Sequence, residues 1–204
     1  MAQEERSLDN EADLIESAVG NDFILAAFNV DDWNAELSPW KAKAVFGDSD
    51  FAGGADDTLR YVIKELIPFL NADYELQRDI KWVVGGYSLG GLFALYCAYR
   101  TDQFTATAAA SPSVWFPGFI EYARENSTLN RVVYLSLGDK EEKTKNHVMS
   151  TVGDIIKELS DIYSRSPYIS ASALEWNEGN HFREPEVRTA RGFIWVLNHI
   201  LNKN

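Results

Sequence analysis

A serine inside a glycine-flanked turn is the feature of this sequence with the clearest chemical potential. Residues 86–90, Gly-Tyr-Ser-Leu-Gly, fit the Gly-x-Ser-x-Gly pattern around Ser88. An apolar run, Trp82 to Val84, precedes the pattern, and an apolar stretch of helical character, Leu89 to Tyr99, follows it. In a strand–turn–helix setting this pattern predicts a nucleophile elbow, whose strained turn exposes the serine hydroxyl. The alternative is a glycine-rich turn with an incidental serine.

The predicted turn also supplies a site for negative charge. Glycines two residues before and after Ser88 remove the Cβ atoms that would keep strand and helix apart. A helix that begins directly after the serine directs its free N–H groups and positive dipole end at any charge formed there. The backbone N–H of Leu89 is therefore the candidate oxyanion donor.

A reactive serine needs a base, and the sequence has three histidines. His181 follows the last predicted strand, whereas His147 lies at a helix start and His199 lies within the last helix. Because sites in parallel sheets form at the carboxyl ends of strands, His181 is the best-placed base. The alternative is an ordinary loop histidine.

The acid of such a site is expected in the polar loop that follows another predicted strand. That loop, residues 138–142, contains Asp139 and Glu141, and the residues alone do not separate the two. The loop could equally be a solvated run of charge. The chain order of serine, acid and histidine is the order that an α/β-hydrolase requires.

Hydrophobic periodicity supplies the elements that must position these groups. Strands alternate with amphipathic helices, which predicts an α/β fold with a mostly parallel sheet flanked by helices. The predicted helices span residues 11–19, 57–74, 89–99, 118–126, 145–163 and 184–201, and the predicted strands span 22–30, 82–84, 105–110, 131–137 and 168–176. A long loop, 31–50, separates the first strand from the second helix.

Composition limits the classes of function. The chain of 204 residues is 46% hydrophobic, which indicates one domain, 1–204, with residues 1–10 as a frayed tail. A net charge of −12 without basic clusters argues against nucleic acid or an anionic membrane as a partner. We expect a cytoplasmic protein, because the sequence shows no apolar signal segment or membrane-spanning run and has a single cysteine, Cys97. No ligand spacing suggests a metal or another cofactor.

Aromatic side chains near the predicted strand ends are candidates for substrate binding. Trp33 and Trp115 lie in loops, and Tyr87 precedes the serine directly. Such rings could line an apolar acyl or leaving-group pocket. The alternative is that they cover the core beneath long loops.

These residues together resemble the esterase branch of the α/β-hydrolase superfamily, which includes the esterase D type and the enterochelin-type siderophore esterases. The stretches that carry the likeness are Asp32-Trp33 with Leu37–Trp40, Glu65–Phe69 with Tyr74, Gly86–Ala94, Ala110–Trp115, Gly138-x-x-Glu141 and Gly179–His181. The resemblance implies an α/β-hydrolase fold and a serine hydrolase of small carboxylic esters or thioesters. It places the nucleophile on Ser88, the base on His181 and the acid on Glu141 in preference to Asp139.

The sequence departs from that branch at its N-terminus. Relatives usually have a strand before the first helix, and the loop after that strand supplies a second oxyanion N–H. Here only polar residues 1–10 precede the first predicted helix, so either the chain is trimmed or another segment, Asn29 to Trp33, substitutes. Losing one donor typically costs about 100- to 1000-fold in rate. A weak or inactive hydrolase-fold binding protein therefore stays an alternative, as does an acyltransferase with the same nucleophile, and an exposed sheet edge could pair with a second copy.

Overall fold

The computed structural model describes residues 5–74, 76 and 79–201, with side chains from residue 8 onward. The helices are α1 (Glu5–Val19), α2 (Trp33–Glu36), α3 (Ala55–Tyr61), α4 (Ile67–Asp73), α5 (Leu89–Arg100), α6 (Phe119–Glu125), α7 (Val152–Arg165) and α8 (Pro185–Leu201). A π-helical turn, Val62–Leu66, joins α3 to α4. The strands are β1 (Lys41–Ala42), β2 (Phe51–Ala52), β3 (Trp82–Tyr87), β4 (Phe104–Ala110), β5 (Val132–Gly138) and β6 (Ala171–Asn177).

The main sheet has four parallel strands in the order β3-β4-β5-β6, which confirms the predicted α/β architecture. Its two central strands, β4 and β5, are almost wholly buried, because helices cover both faces of the sheet. Val133 and Leu135 of β5 belong to the core shared with α5, α6 and α7, whereas Val132 and Tyr134 belong to the core beneath α8. Successive side chains of a strand point to opposite faces, so one short run serves both cores.

The prediction of a first strand over residues 22–30 is wrong. Residues 21–30, which include the apolar run Phe23 to Phe28, form no strand within the described part of the chain. Ile24 is 47% exposed, whereas Phe28 packs edge-on against Phe93 of α5. Strand structure needs a hydrogen-bonding neighbour, and no described strand pairs with this segment. Strand β3 is therefore one edge of the four-stranded sheet.

The N-terminus and the start of α7 also differ from expectation. Residues 5–10 of the predicted frayed tail belong to α1, which packs against α8, and residues 1–4 lie outside the described residues. The helix predicted from residue 145 begins only at a 3₁₀ turn, Met149–Thr151, which leads into α7. The side chain of Asn146 accepts hydrogen bonds from the amides of Val148 and Met149, so this residue ends the preceding loop.

The predicted long loop contains regular structure of its own. It holds α2 and strand β1, and β1 pairs with β2 in a two-stranded antiparallel sheet apart from the main one. Asp32 caps α2 by accepting a hydrogen bond from the amide of Ala35. Among the described helices, none is both long and apolar enough to cross a lipid bilayer.

Candidate active site

Ser88 occupies a strained turn between β3 and α5. Strand β3 ends at Tyr87 and α5 begins at Leu89, and the serine between them has φ 58° and ψ −121°. Only two other non-glycine residues in the described part of the chain, Ser111 and Glu184, have a positive φ. Non-glycine residues in such conformations are costly and cluster at functional sites. The Leu89 N–H lies in the first turn of α5, where backbone donors have no acceptor within the helix.

Close approach of strand and helix explains two glycines at this turn. A Cβ on Gly86 would lie 2.8 Å from the carbonyl carbon of Gly90, and a Cβ on Gly91 would lie 3.0 Å from the carbonyl oxygen of Gly86. A Cβ on Gly90 would meet nothing nearer than the Trp33 ring, at 4.0 Å. Gly90 therefore contributes its backbone to the close contact, and the absence of a Cβ matters at Gly86 and Gly91.

This difference predicts opposite outcomes for two alanine substitutions. Gly86→Ala forces a methyl group against backbone that cannot yield, and should lower the free energy of unfolding by about 1–3 kcal/mol. Gly90→Ala adds a helix-favouring residue in open space and should be neutral or stabilising by up to about 1 kcal/mol. Thermal unfolding of both variants against the wild type checks this. Equal melting temperatures for the two variants would contradict the predicted contact.

Three side chains predicted from the sequence meet at the carboxyl ends of their strands. The Nε2 atom of His181 lies 2.9 Å from the Ser88 hydroxyl oxygen, and its Nδ1 atom lies 2.7 Å from Oε2 of Glu141. Ser88 follows β3, Glu141 follows β5 and His181 follows β6, as the order of the elements requires. This is the geometry in which an imidazole accepts the proton of a serine hydroxyl while a carboxylate fixes its tautomer.

Glu141 is buried and has a separate role for each carboxylate oxygen. Its side chain is 4% exposed. Oε2 faces His181, and Oε1 accepts hydrogen bonds from the Gly138 amide and the Ser111 hydroxyl, each at 2.7 Å. Burial raises the pKa of Glu141, but the hydrogen bond and charge of His181 and the bonds from Ser111 and Gly138 outweigh it. The pKa is therefore held below its ordinary value, and the acid is ionised at neutral pH.

The other residues considered as the acid or the base, Asp139, His147 and His199, form no hydrogen bond with Ser88 or His181 in the described part of the chain. The Asp139 carboxylate accepts a hydrogen bond from the Gly179 amide at 2.7 Å, so it braces the two loops rather than facing the imidazole. His147 is exposed in the loop before α7. His199 stacks on Trp195 with ring centroids 3.8 Å apart, and its Nδ1 atom lies 2.7 Å from the carbonyl oxygen of that residue. The structure thus brings only one of the three histidines to Ser88.

The aromatic candidates have different surroundings. Trp33 begins α2 and lies beside Gly90, at the N-terminal end of α5. Trp115 is 7% exposed and packs against Phe51 in the core. The Tyr87 hydroxyl points into the protein and donates a hydrogen bond to the carbonyl oxygen of His181 at 2.7 Å.

Sequence reasoning missed three residues at this site. Phe182 is 74% exposed and meets the His181 ring edge-on, with centroids 5.5 Å apart. Ser111, whose φ is 42°, reaches Glu141, and Arg188 reaches the same carboxylate oxygen from α8. The four-residue spacing of Arg188 with Gly192, Val196 and Ile200 on α8 was the available signal for Arg188. In the described part of the chain, no cluster of His, Cys, Asp or Glu side chains is suited to hold a metal ion.

Comparisons with known proteins find similarity to esterases and other hydrolases. The chain is 25% identical over 157 residues to the ferri-bacillibactin esterase BesA of Bacillus subtilis (strain 168), a match that covers 72% of this chain and 53% of the relative. The chain thus spans about half the length of that curated relative. Among solved structures, an IroE-like serine hydrolase from Shewanella oneidensis superposes with a TM-score of 0.76 at 19% identity, covering 95% of this chain and 67% of that one.

A second solved structure and a family match complete the comparison. The siderophore hydrolase EstA from Aspergillus nidulans superposes with a TM-score of 0.74 at 17% identity, covering 96% of this chain and 80% of that one. These similarities show a shared α/β fold. Residues 26–178 match the Esterase family, described as "Putative esterase", and the match covers most of the chain. The protein therefore belongs to this esterase family of the α/β-hydrolase superfamily.

Proposed function

We propose that this protein is a serine hydrolase that cleaves a carboxylic ester or thioester through an acyl-enzyme on Ser88. The observation that carries the proposal is the continuous contact from the Ser88 hydroxyl through His181 to Glu141, at 2.9 and 2.7 Å. A serine held at φ 58° at the start of a helix adds the strained turn that such a nucleophile needs.

The reaction follows from the positions of these atoms. The Ser88 oxygen attacks the ester carbonyl carbon while Nε2 of His181 takes the hydroxyl proton. The bond to the leaving alcohol or thiol breaks as His181 returns that proton to the leaving atom. A water molecule, deprotonated by the same nitrogen, then attacks the acyl carbonyl carbon. The bond to Ser88 breaks as His181 passes that proton to the serine oxygen, which releases the carboxylic acid and restores the enzyme.

The oxyanion that forms in both steps needs hydrogen-bond donors. The Leu89 N–H is the first, because it stands at the N-terminal end of α5 beside the nucleophile. The segment Asn29 to Trp33 is the proposed source of a second donor, since the Trp33 ring borders the same end of α5. The Asp32 amide is already bonded to the Glu36 carboxylate at 2.8 Å, so a donor from this segment must be another amide.

Labelling with a fluorophosphonate probe tests the nucleophile. The probe should form a stable adduct with the wild type and should leave Ser88→Ala unlabelled, and peptide mapping should place the adduct on Ser88. Ser113→Ala is a matched control, because Ser113 is the neighbouring serine, with its hydroxyl 3.4 Å from that of Ser88. Equal labelling of wild type and Ser88→Ala would overturn the proposal.

We extend the proposal to the substrate class named for the relatives, the ester bonds of siderophores. The support is the similarity to a ferri-bacillibactin esterase and the likeness in fold to a siderophore hydrolase. Phe182, beside the base, is 74% exposed and presents an aromatic ring at the rim of the site. Neither of two surface grooves in the described structure, one between α1 and α8 and one beside α3, contains Ser88.

A substrate panel separates the reaction from the substrate class. Wild type and Ser88→Ala should be incubated with p-nitrophenyl acetate and with iron-free and iron-loaded siderophore esters, and the products followed by mass spectrometry. Cleavage of the siderophore esters by the wild type but not by Ser88→Ala supports both proposals. Cleavage of p-nitrophenyl acetate alone would remove the substrate class and keep the serine esterase. Turnover that rises with an added alcohol while hydrolysis stays low would indicate an acyltransferase instead.

A further inference from the structure

We propose that Arg188 is a positioning residue that holds the acid and the base of the Ser88 site in one frame. The proposal rests on the serine hydrolase function proposed above. Arg188 lies in the first turns of α8, and its side chain is only 2% exposed. A buried guanidinium carries five donors in a fixed planar fork, so the acceptors around it define a rigid geometry.

One end of the guanidinium contacts residues at the carboxyl ends of the three strands that come before His181 in the chain. Its Nη1 atom shares its two hydrogens among three acceptors, Oε1 of Glu141 at 2.9 Å, the Tyr87 hydroxyl at 3.1 Å and the Ser111 hydroxyl at 3.2 Å. Tyr87 ends β3, Ser111 follows β4 and Glu141 follows β5. Because Oε1 of Glu141 accepts hydrogen bonds from Arg188, the Gly138 amide and the Ser111 hydroxyl, the other carboxylate oxygen is left directed at the imidazole.

The other end of the guanidinium holds the loop that carries the base. Its Nη2 atom donates to the carbonyl oxygens of Glu178 and Asn180, each at 3.1 Å. Asn180 precedes His181 directly, and the His181 carbonyl oxygen accepts from the Tyr87 hydroxyl, which itself accepts from Arg188. The backbone of the base is therefore tied to one cation on both sides. Since this loop follows β6, Arg188 joins the carboxyl ends of all four parallel strands.

The role follows from geometry more than from charge. A cation beside Glu141 competes with the imidazolium for the same carboxylate, so its charge alone would not help the base. The fork, by contrast, fixes the direction of the acid and the place of the base together, and an error of about 1 Å in such a site can cost on the order of 100-fold in rate. A lysine would keep the charge but present a single ammonium in place of the fork.

The first experiment compares two lysine substitutions on the same helix. Arg188→Lys should slow fluorophosphonate labelling of Ser88 about 100-fold, with KM for p-nitrophenyl acetate nearly unchanged. Arg191→Lys is the matched control, because Arg191 lies one turn away, is 53% exposed and bonds to Asn177 at 2.8 Å, outside the site. Labelling of folded Arg188→Lys at the wild-type rate would overturn the proposal, while the assignment of Ser88 would stand.

Chemical rescue and NMR give readouts that a merely structural role would not move. Guanidinium ion added to Arg188→Ala should restore labelling, whereas methylammonium should not. The downfield proton signal of the His181 Nδ1–H should be sharp in the wild type and should shift or broaden in Arg188→Lys. This signal tests Arg188 even in a protein that hydrolyses nothing, so it separates failure of this proposal from failure of the proposed function. An unchanged signal would count against Arg188 as a positioning residue.

A third variant decides the case in which neither Arg188 substitution folds. Tyr87→Phe removes the link from Arg188 to the His181 carbonyl and leaves the buried charge pair in place. It should slow labelling about tenfold, the usual effect of one lost hydrogen bond in a site. Wild-type labelling by folded Tyr87→Phe, together with unfolded Arg188 variants, would reduce Arg188 to a stability element and overturn the proposal.

Discussion

Alanine substitution of Ser88, of His181 and of both together should reduce hydrolysis of p-nitrophenyl acetate to the same low level, about 10⁶-fold below the wild type. In the proposed mechanism the two side chains work as a unit, because the proton that leaves the serine oxygen must arrive at the nitrogen 2.9 Å away. Once either partner is absent, the second has no further contribution to lose. The residual rate then comes from binding and from the oxyanion donors alone.

Steady-state kcat for the three variants, with circular dichroism to confirm folding, measures this effect. His147→Ala serves as the matched histidine control, because His147 is exposed in a loop and should retain the wild-type rate. A double variant that is slower than either single variant by the product of the two losses would contradict the shared mechanism. Substantial activity in the Ser88→Ala variant would show that Ser88 is not the nucleophile.

The sequence was informative wherever a pattern depends on residues next to one another in the chain. The elbow at Ser88 is such a case, because a short apolar run, a turn and a helix are all local. Strands β4 and β5 could be predicted for the same reason, since burial on both faces produces a continuous apolar run. The order of strands along the chain then placed Ser88 and His181 at one edge of the sheet.

Predictions failed where structure depends on a neighbour that is distant in the chain. Residues 22–30 have the composition of a buried strand, yet a strand exists only beside a partner, and no described strand pairs with them. The choice between Asp139 and Glu141 could not be made from the residues, because both lie in one short loop. A turn in which the Glu141 amide bonds to the Gly138 carbonyl brings that side chain back to the strand end.

Arg188 illustrates a different limit of prediction from the sequence. Helix α8 was predicted from the spacing of its apolar residues, a pattern that does not include Arg188. In the structure Arg188 shares a buried stripe with Gly192, Val196 and Ile200, spaced four residues apart. Periodicity alone does not show that such a residue is buried, because its burial depends on acceptors at the end of β3 and in the three loops after β4, β5 and β6. The spacing was visible in the sequence, and the reason for it was not.

Conversion of Glu141 to glutamine should lower kcat about 10⁴-fold while leaving the fold intact. The expected loss follows from the two different surroundings of the carboxylate oxygens. Oε1 lies among three donors, from Gly138, Ser111 and Arg188. The carbonyl oxygen of a glutamine would take that position, and its NH₂ group would then face Nδ1 of His181. The imidazole would have to accept a hydrogen bond at Nδ1 and carry its proton on Nε2, where it cannot receive one from Ser88.

Asp139→Asn is the matched carboxylate-to-amide control for this prediction. Its side-chain oxygen can still accept from the Gly179 amide, so we expect activity within about twofold of the wild type. Rates of fluorophosphonate labelling and kcat for both variants, measured at the same pH, decide between the two acids. A large loss in Asp139→Asn with little change in Glu141→Gln would reverse the assignment. Little change in both would mean that Ser88 and His181 act as a dyad, in which the buried Glu141 holds the loop rather than the tautomer.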